Sequence, residues 1–439
     1  MKEFFLKSDI LFGTATAATQ IEGGDRNSNW YHWGLKGRIK NNDNSYVSAD
    51  HYNRYKEDIK LMKDLNQQTY RMSIEWSRIE PEKGVFDENG LKHYRNEIKE
   101  LIDNNIIPLV TLHHFSCPQW FQNLGGWENE KSPEYFLRFT KKVIEYIGDL
   151  VSEYCTINEP NVLATGSYID GDFPPGKKDD VKAYFRASKN LILAHLKSYK
   201  AIHQIRDEKS FKGETKVGIA HHIAYLDINS KNPVVRISRK FMNYSFHTLF
   251  EKGMIEGKLC FPLGKGYPEG EGLYCDFGGI NYYARHVIEP TINPGLLFGK
   301  LTVQKNLAQN RYNDLGWEIY PEGLYKVVQE FYSKYKLPIY ITENGIADSD
   351  DSRRARFIFD HLEQVNNLIE NGIPVERYYH WSLIDNLEWH EGYKPRFGLI
   401  EVNYKNQKRT IRNSGLFYKE IVEKNGVTKE MIEKYLCEN

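Results

Sequence analysis

Pro338-Ile339-Tyr340-Ile341-Thr342-Glu343-Asn344-Gly345 is a short apolar run that opens on proline and stops at a carboxylate. Four β-prone residues bounded by Pro and Gly read as a buried strand that delivers Glu343 to its tip. A Glu at that junction is either a cap for the next turn or a reacting group. A second run of the same form, Tyr154-Cys155-Thr156-Ile157-Asn158-Glu159-Pro160, ends on a second Glu. Two carboxylates at strand ends turn the question to whether the fold brings them to one place.

Outward from these two runs the chain repeats one texture: a short β-prone run, a polar or aromatic cluster, then a longer amphipathic segment. The β-prone runs are 11–16, 69–74, 107–113, 154–157, 216–221, 277–283, 339–342 and 378–382. Helical patterns fill 48–65, 89–104, 133–150, 181–205, 234–252, 321–335 and 351–370. Within the first, Tyr55, Ile59, Met62 and Leu65 make one apolar face at helical spacing. Asn104-Asn105 and Asn371-Gly372 each stop a helix just before a new strand. Eight alternations with no Gly/Ser-rich or Pro-rich linker predict a single domain over 1–439, folded as an α/β (β/α)8 TIM barrel. The competing topology is an open doubly wound sheet, but Gly13-Thr14-Ala15-Thr16 after the first strand is no dinucleotide fingerprint.

The totals narrow the function classes. Lys plus Arg and Asp plus Glu are 59 each, so no net field recruits nucleic acid or an anionic membrane, and a neutral small-molecule partner is favoured. The 14% aromatic content, with 30 Tyr and 8 Trp, suits a large core and flat faces for ring-shaped polar ligands. Lys7 and Asp9 break the N-terminal apolar stretch, no window approaches a membrane span, and a cytoplasmic location is expected. Cys117, Cys155, Cys260, Cys275 and Cys437 lack the paired short spacing of a zinc or redox motif and read as reduced thiols.

In a barrel of this kind the site forms at the C-terminal ends of the strands. The polar residues there are Gln20, Arg71, His113-His114, Asn158-Glu159, Asn281 with Tyr283, Glu343 and Trp381. His221 and His222 of strand five are either lining or core. Amides, two carboxylates, an imidazole, an arginine and a tryptophan suit a sugar ring better than a phosphate or a metal-bound substrate.

Here the residues carry a resemblance. Thr156-Ile157-Asn158-Glu159-Pro160 and Ile341-Thr342-Glu343-Asn344-Gly345 resemble the acid/base and nucleophile motifs of glycoside hydrolase family 1, the β-glucosidase and β-galactosidase family. The similarity extends to the stretches 12–23, 70–78, 281–283 and 381–389, in order across nearly the whole chain. The resemblance implies a retaining β-glycosidase that needs no cofactor or metal, with its carboxyl groups roughly 5–5.5 Å apart. It implies Glu343 as nucleophile, Glu159 as acid then base, and Arg71 and Tyr283 holding Glu343 ionised. It further implies Gln20, His114, Asn158, Asn281, Glu388 and Trp389 as sugar contacts, with Trp381 as the stacking floor.

Phe115 stands where many members of that family have Trp. His113 occupies the usual place of a tyrosine or other aromatic. Trp120, Trp127, Tyr168 and Trp317 read as loop-tip rings that either clamp an aglycone or cover the barrel mouth. Asp170 and Asp172 read as turn chemistry. The substrate expected is a small β-glycoside of glucose or galactose. A 6-phospho-β-glycosidase is the alternative: Glu388 would repel the phosphate dianion, whereas Lys394 would attract it. An alternative of another class is a non-catalytic carbohydrate-binding protein on the same fold.

Overall fold

Eight parallel strands hydrogen-bond in a closed ring. They are β1 (Leu11–Ala15), β2 (Thr69–Ser73), β3 (Ile107–His113), β4 (Glu153–Asn158), β5 (Lys216–His222), β6 (Gly278–Asn281), β7 (Ile339–Gly345) and β8 (Val375–Trp381). The ring closes where β8 pairs with β1, Arg377 to Trp381 running beside Leu11 to Ala15. The structure is a computed structural model and describes residues 1–7, 9–228, 230–291, 299–304, 307–308 and 311–437.

A helix follows each strand: α1 (His51–Asp64), α2 (Glu88–Asp103), α3 (Ser132–Ile147), α4 (Val181–Glu208), α5 (Pro233–Asn243), α6 (Pro321–Tyr335), α7 (Arg354–Glu370) and α8 (Asn413–Lys424). The barrel predicted from the alternation is therefore the fold observed. Every residue of β2, β4, β6 and β7 is buried, which is why these strands read as continuous runs rather than alternating ones. Helix starts carry their signals: Asp87 accepts the Asn89 N–H at 2.8 Å and Asp180 the Ala183 N–H at 3.0 Å.

The differences lie at element ends. Ser48 and Asp50 both have left-handed backbone, with φ 47 and φ 52, so α1 starts at His51 rather than at 48. Strand β6 is four residues long, which leaves Tyr283 just beyond its end. Helix α5 continues through a π turn, Tyr244–Thr248, into Leu249–Met254.

Outside the barrel, Tyr225–Ile228, Arg285–Pro290 and Gly299–Thr302 form a small sheet, and Phe4–Phe5 pairs with Gly426–Val427 near the two chain ends. Cys117, Cys155 and Cys275 are buried, Cys260 is half-buried and Cys437 exposed, and all five thiols are unpaired. Among the described residues no helix is long and apolar enough to cross a membrane.

Candidate active site

Both carboxylate-bearing strands lose regular register just before their glutamate. Strand β4 shifts against β5 between Cys155 and Asn158. Strand β7 shifts against β8 between Ile341 and Asn344, and against β6 between Ile341 and Glu343. Such an irregularity re-aims a side chain away from simple alternation. In β7 it separates the duties of neighbours: Glu343 meets Arg71, while Asn344 donates to the Tyr282 carbonyl and accepts the Tyr378 hydroxyl, each at 2.8 Å. Gly345 ends the motif because β8 passes so close that a Cβ there would lie 1.8 Å from the Trp381 carbonyl oxygen.

Glu159 occupies the N-cap position of the short helix Pro160–Thr165, but its side chain makes no capping bond. Its backbone is left-handed at φ 39, ψ 61, pinned by its N–H donating to the Ala220 carbonyl at 2.7 Å. Phe115 and Trp389 share this non-glycine conformation, with φ 66 and φ 48. Each such residue costs about 1–3 kcal/mol and persists where surrounding structure imposes it.

Hydrogen bonds join the two carboxylates. Arg71, fully buried inside the barrel, donates through Nη1 to Glu343 Oε1 at 2.5 Å and through Nη2 to Asn158 Oδ1 at 2.7 Å. Tyr283 donates its hydroxyl to Glu343 Oε2 at 2.6 Å. Asn281 Nδ2 lies 3.1 Å from Asn158 Oδ1 and 2.8 Å from Glu159 Oε1, and Asn281 Oδ1 accepts the Thr342 hydroxyl at 2.6 Å. Burial pushes the Glu343 carboxyl up to about 7; Arg71 pulls it down, Glu159 adds to the rise, and Tyr283 opposes it.

Around this core, three predicted residues keep polar atoms that are covered yet unpartnered: Gln20 Oε1, His114 Nδ1 and Glu388 Oε2. Buried polar atoms without partners call for a ligand or water. Gln20 spends Nε2 on Asn386 Oδ1 at 3.0 Å and the Leu387 carbonyl at 2.7 Å, which leaves Oε1 as an acceptor. Asn158 Oδ1 already accepts from Arg71, so its Nδ2 donates to His114 Nε2 at 2.9 Å. Burial, then the charge of Arg71, holds His114 well below its ordinary pKa, so the ring is neutral and the hydrogen-bond pattern assigns its proton to Nδ1. Burial raises the Glu388 carboxyl to about 8, and repulsion from Glu343, Glu159 and Glu391 adds to the shift.

The aromatic wall is built from the same neighbourhood. The His114 ring lies 5.8 Å from those of Trp381 and Trp389 and 5.3 Å from Phe115. Trp317 packs edge-on to Tyr283 at 5.9 Å and remains partly exposed. Trp127 and Tyr168 are instead buried, and Trp120 packs on Trp76. His113 faces Trp127 and Phe136, so it is packing behind the wall.

Asn281 donates through its amide nitrogen to Asn158 and Glu159 and accepts the Thr342 hydroxyl on its oxygen, which keeps one lone pair free. Sequence reasoning left His222 unresolved. Its Nδ1 lies 3.3 Å from Glu159 Oε1. Only its strand-end position pointed there, because His221 shared it.

A cleft of about 1060 Å³ opens on the same rim, lined by Lys40, Tyr312, Asp314, Arg353, Glu391 and Lys394 among others, and by neither carboxylate of the pair. Lys394 is exposed there. Among the described residues no group of three or more His, Cys, Asp or Glu is placed to hold a metal ion.

Against known proteins, the family model described as glycosyl hydrolase family 1 matches residues 2–262 and 271–427. The chain is 34% identical over 458 residues to a 1,4-β-D-glucan glucohydrolase of Thermotoga neapolitana, covering 98% of this chain and 100% of the relative. A 6-phospho-β-galactosidase of Clostridium acetobutylicum is 32% identical over 475 residues, covering 94% and 96%. Among solved structures, a β-glycosidase from Pyrococcus horikoshii superposes with a TM-score of 0.90 at 33% identity, covering 100% of this chain and 99% of that one. A β-glucosidase from Thermotoga maritima in complex with glucoimidazole gives 0.87 at 33%, covering 96% and 100%.

Proposed function

The chain belongs to glycosyl hydrolase family 1, an O-glycosyl hydrolase on a (β/α)8 barrel, and from that premise we propose a retaining β-glycosidase with Glu343 as nucleophile and Glu159 as acid/base. The observation that carries the assignment is the asymmetry of the pair. Glu343 takes a guanidinium and a phenol on its two oxygens, whereas Glu159 is held by an amide on one oxygen. A cation beside Glu343 favours the charged form that attacks, and the carboxyl without one is suited to deliver a proton.

In the first step Glu159 gives its proton to the glycosidic oxygen as the bond to the anomeric carbon breaks and a Glu343 oxygen attacks the opposite face. The aglycone leaves as an alcohol, and the sugar remains as an ester of Glu343. In the second, Glu159 takes a proton from water as the water oxygen displaces Glu343, and two inversions give net retention. Gln20 Oε1 accepts a sugar hydroxyl, His114 Nδ1–H and the free Asn158 N–H donate to others, and Glu388 and Trp389 contribute to the same pocket. Trp381 is the apolar face under the ring, and Asn281 serves the reaction by holding Glu159.

Glucose is the sugar we assign at the nonreducing end, since matched relatives carry glucosidase names and one binds glucoimidazole. The 6-phospho reading has a matched relative in its favour. Against it, a phosphate dianion beside Glu388 would be repelled, and Lys394 lies out on the exposed rim. A non-catalytic binding protein would have no use for two glutamates held by separate polar partners. We assign the chain to one catalytic domain because the family match runs through nearly all of it. The five unpaired cysteines favour a reducing compartment such as the cytoplasm.

The test is turnover of aryl β-glucoside, β-galactoside and 6-phospho-β-glucoside side by side. Hydrolysis of the unphosphorylated glucoside with retention is expected. Preference for the phosphorylated substrate would overturn the sugar assignment, and no turnover of any would overturn the activity.

A further inference from the structure

The two histidines at the top of β5 part company. His221 is buried between the barrel wall and the helical segment after it, its ring 5.6 Å from His247 and 6.4 Å from Phe250. His222 turns toward the site. Its Nδ1 lies 3.3 Å from Glu159 Oε1, and its ring stacks on Tyr283 at 6.1 Å with 24° between the planes. Tyr283 is the residue whose hydroxyl holds Glu343, so one imidazole touches the first carboxylate by its edge and the holder of the second by its face.

The backbone fixes this position. The His222 carbonyl accepts Asn161 Nδ2 at 2.8 Å, and the next N–H, of Ile223, donates to the Asn281 carbonyl at 3.0 Å. His222 Nδ1 is covered and makes no hydrogen bond among the described residues, although Glu159 Oε1 lies 3.3 Å from it. Glu159 Oε1 thus holds one hydrogen bond, from Asn281 Nδ2 at 2.8 Å, and a small turn of the imidazole would bring it a second donor. Oε2 has no hydrogen-bond partner among the described residues.

We propose that His222 is a positioning residue for Glu159: its Nδ1–H anchors Oε1, leaves Oε2 to carry the proton toward the leaving-group oxygen, and favours the carboxylate that acts as base in the second step. This rests on Glu159 being the acid/base. The proton moves between Glu159 Oε2, the departing alcohol and the incoming water.

The titratable groups around the imidazole are Glu159, Tyr283, His221, His247 and His286. Burial keeps His221 down at about 3, His286 at about 4 and His247 well below its ordinary value, so these three rings are neutral. Burial, with the charges of Glu343 and Glu159, holds the Tyr283 phenol well above its ordinary value and therefore protonated. Glu159 is the group there that changes charge during turnover.

Three variants isolate the donor. His222→Phe keeps the ring against Tyr283 and removes the N–H, and His222→Asn restores an N–H at similar reach. His222→Ala with imidazole added to the assay does the same should the Phe variant fail to fold. A donor to Oε1 fixes the orientation in which Oε2 meets the leaving-group oxygen, so its loss should tell most where proton delivery is hardest.

In His222→Phe, kcat/KM should therefore fall on the order of tenfold for aryl β-glucosides with poor leaving groups and far less for those with good ones. With a dinitrophenyl leaving group, where the second step limits turnover, kcat should fall on the order of tenfold and KM with it. His222→Asn, or imidazole with the Ala variant, should reverse both effects. An active wild-type enzyme whose leaving-group dependence and kcat do not respond to loss of the donor, or a loss that neither route restores, overturns the role of His222. A wild-type enzyme inert toward every β-glycoside overturns the assignment beneath it instead.

Discussion

Tyr283 donates its hydroxyl to Glu343 Oε2 at 2.6 Å, on the carboxylate oxygen that Arg71 leaves free. That bond lowers the pKa of a carboxyl that burial has pushed up to about 7. Tyr283→Phe removes it and leaves the ring. The pKa of Glu343 then rises, and its ionised form is lost over a wider acid range. The acidic limb of kcat/KM should move to higher pH, with kcat at pH 7 reduced about 10–100-fold, the scale of losing one aimed donor. An unmoved acidic limb would show that the hydroxyl does not hold the charge.

Arg71 reaches Glu343, Asn158 and Thr111 Oγ1 at once, the last at 3.1 Å from Nε. Only a planar fork spans three acceptors, so Arg71→Lys should lose at least 100-fold in kcat while the protein stays folded. Arg71→Met removes the cation that pulls the Glu343 pKa down, so the buried carboxyl stays protonated to higher pH and the cost in unfolding free energy should approach about 3–5 kcal/mol only well above neutrality. The deficit should be larger at pH 9 than at pH 5, where Glu343 is protonated with or without Arg71. Urea titrations at the two pH values measure it.

Exchanging the two glutamates one at a time separates their roles. Glu343→Ala should abolish hydrolysis, and azide should restore turnover of a good aryl leaving group with a glycosyl azide of inverted configuration as product. Glu159→Gln should spare formation of the ester from substrates with good leaving groups far more than from poor ones. An equal loss for both would contradict proton delivery by Glu159.

The barrel was legible because its strands are buried on both faces and appear as uninterrupted apolar runs, as in 339–342. Their ends were not, since a register shift such as the one before Glu343 depends on neighbours the sequence does not name. The two glutamates were readable from their motifs, but their partners needed geometry. Asn281 stood among expected sugar contacts, and only the geometry places its amide against Thr342, Asn158 and Glu159. His222 was hidden in a doublet, because neighbours in a strand face opposite ways and nothing local says which is inside. Trp120, Trp127, Tyr168 and Trp317 were alike as loop aromatics, and packing alone distinguishes the buried Trp127 and Tyr168 from the partly exposed Trp120, which lies on Trp76, and Trp317, which lies beside Tyr283.

Glu388 makes the empty pocket sensitive to pH. Burial raises its carboxyl to about 8 from an ordinary 4.5, so between those values the folded protein holds a proton that the unfolded chain has released. Stability from this group is fully present below about pH 4.5 and is lost as pH rises toward 8. Glu343 and Glu22, each raised to about 7 chiefly by burial, act in the same direction. The gain in melting temperature of Glu388→Gln over the wild type should therefore grow from pH 5 to pH 8. A sugar whose hydroxyls donate to Glu388 favours the ionised form, so binding at pH 7 should expel a proton. Calorimetry with an uncharged glucoside in buffers of different ionisation enthalpy would register that release. It should disappear in Glu388→Gln, and a release unchanged in that variant would assign the proton to another group.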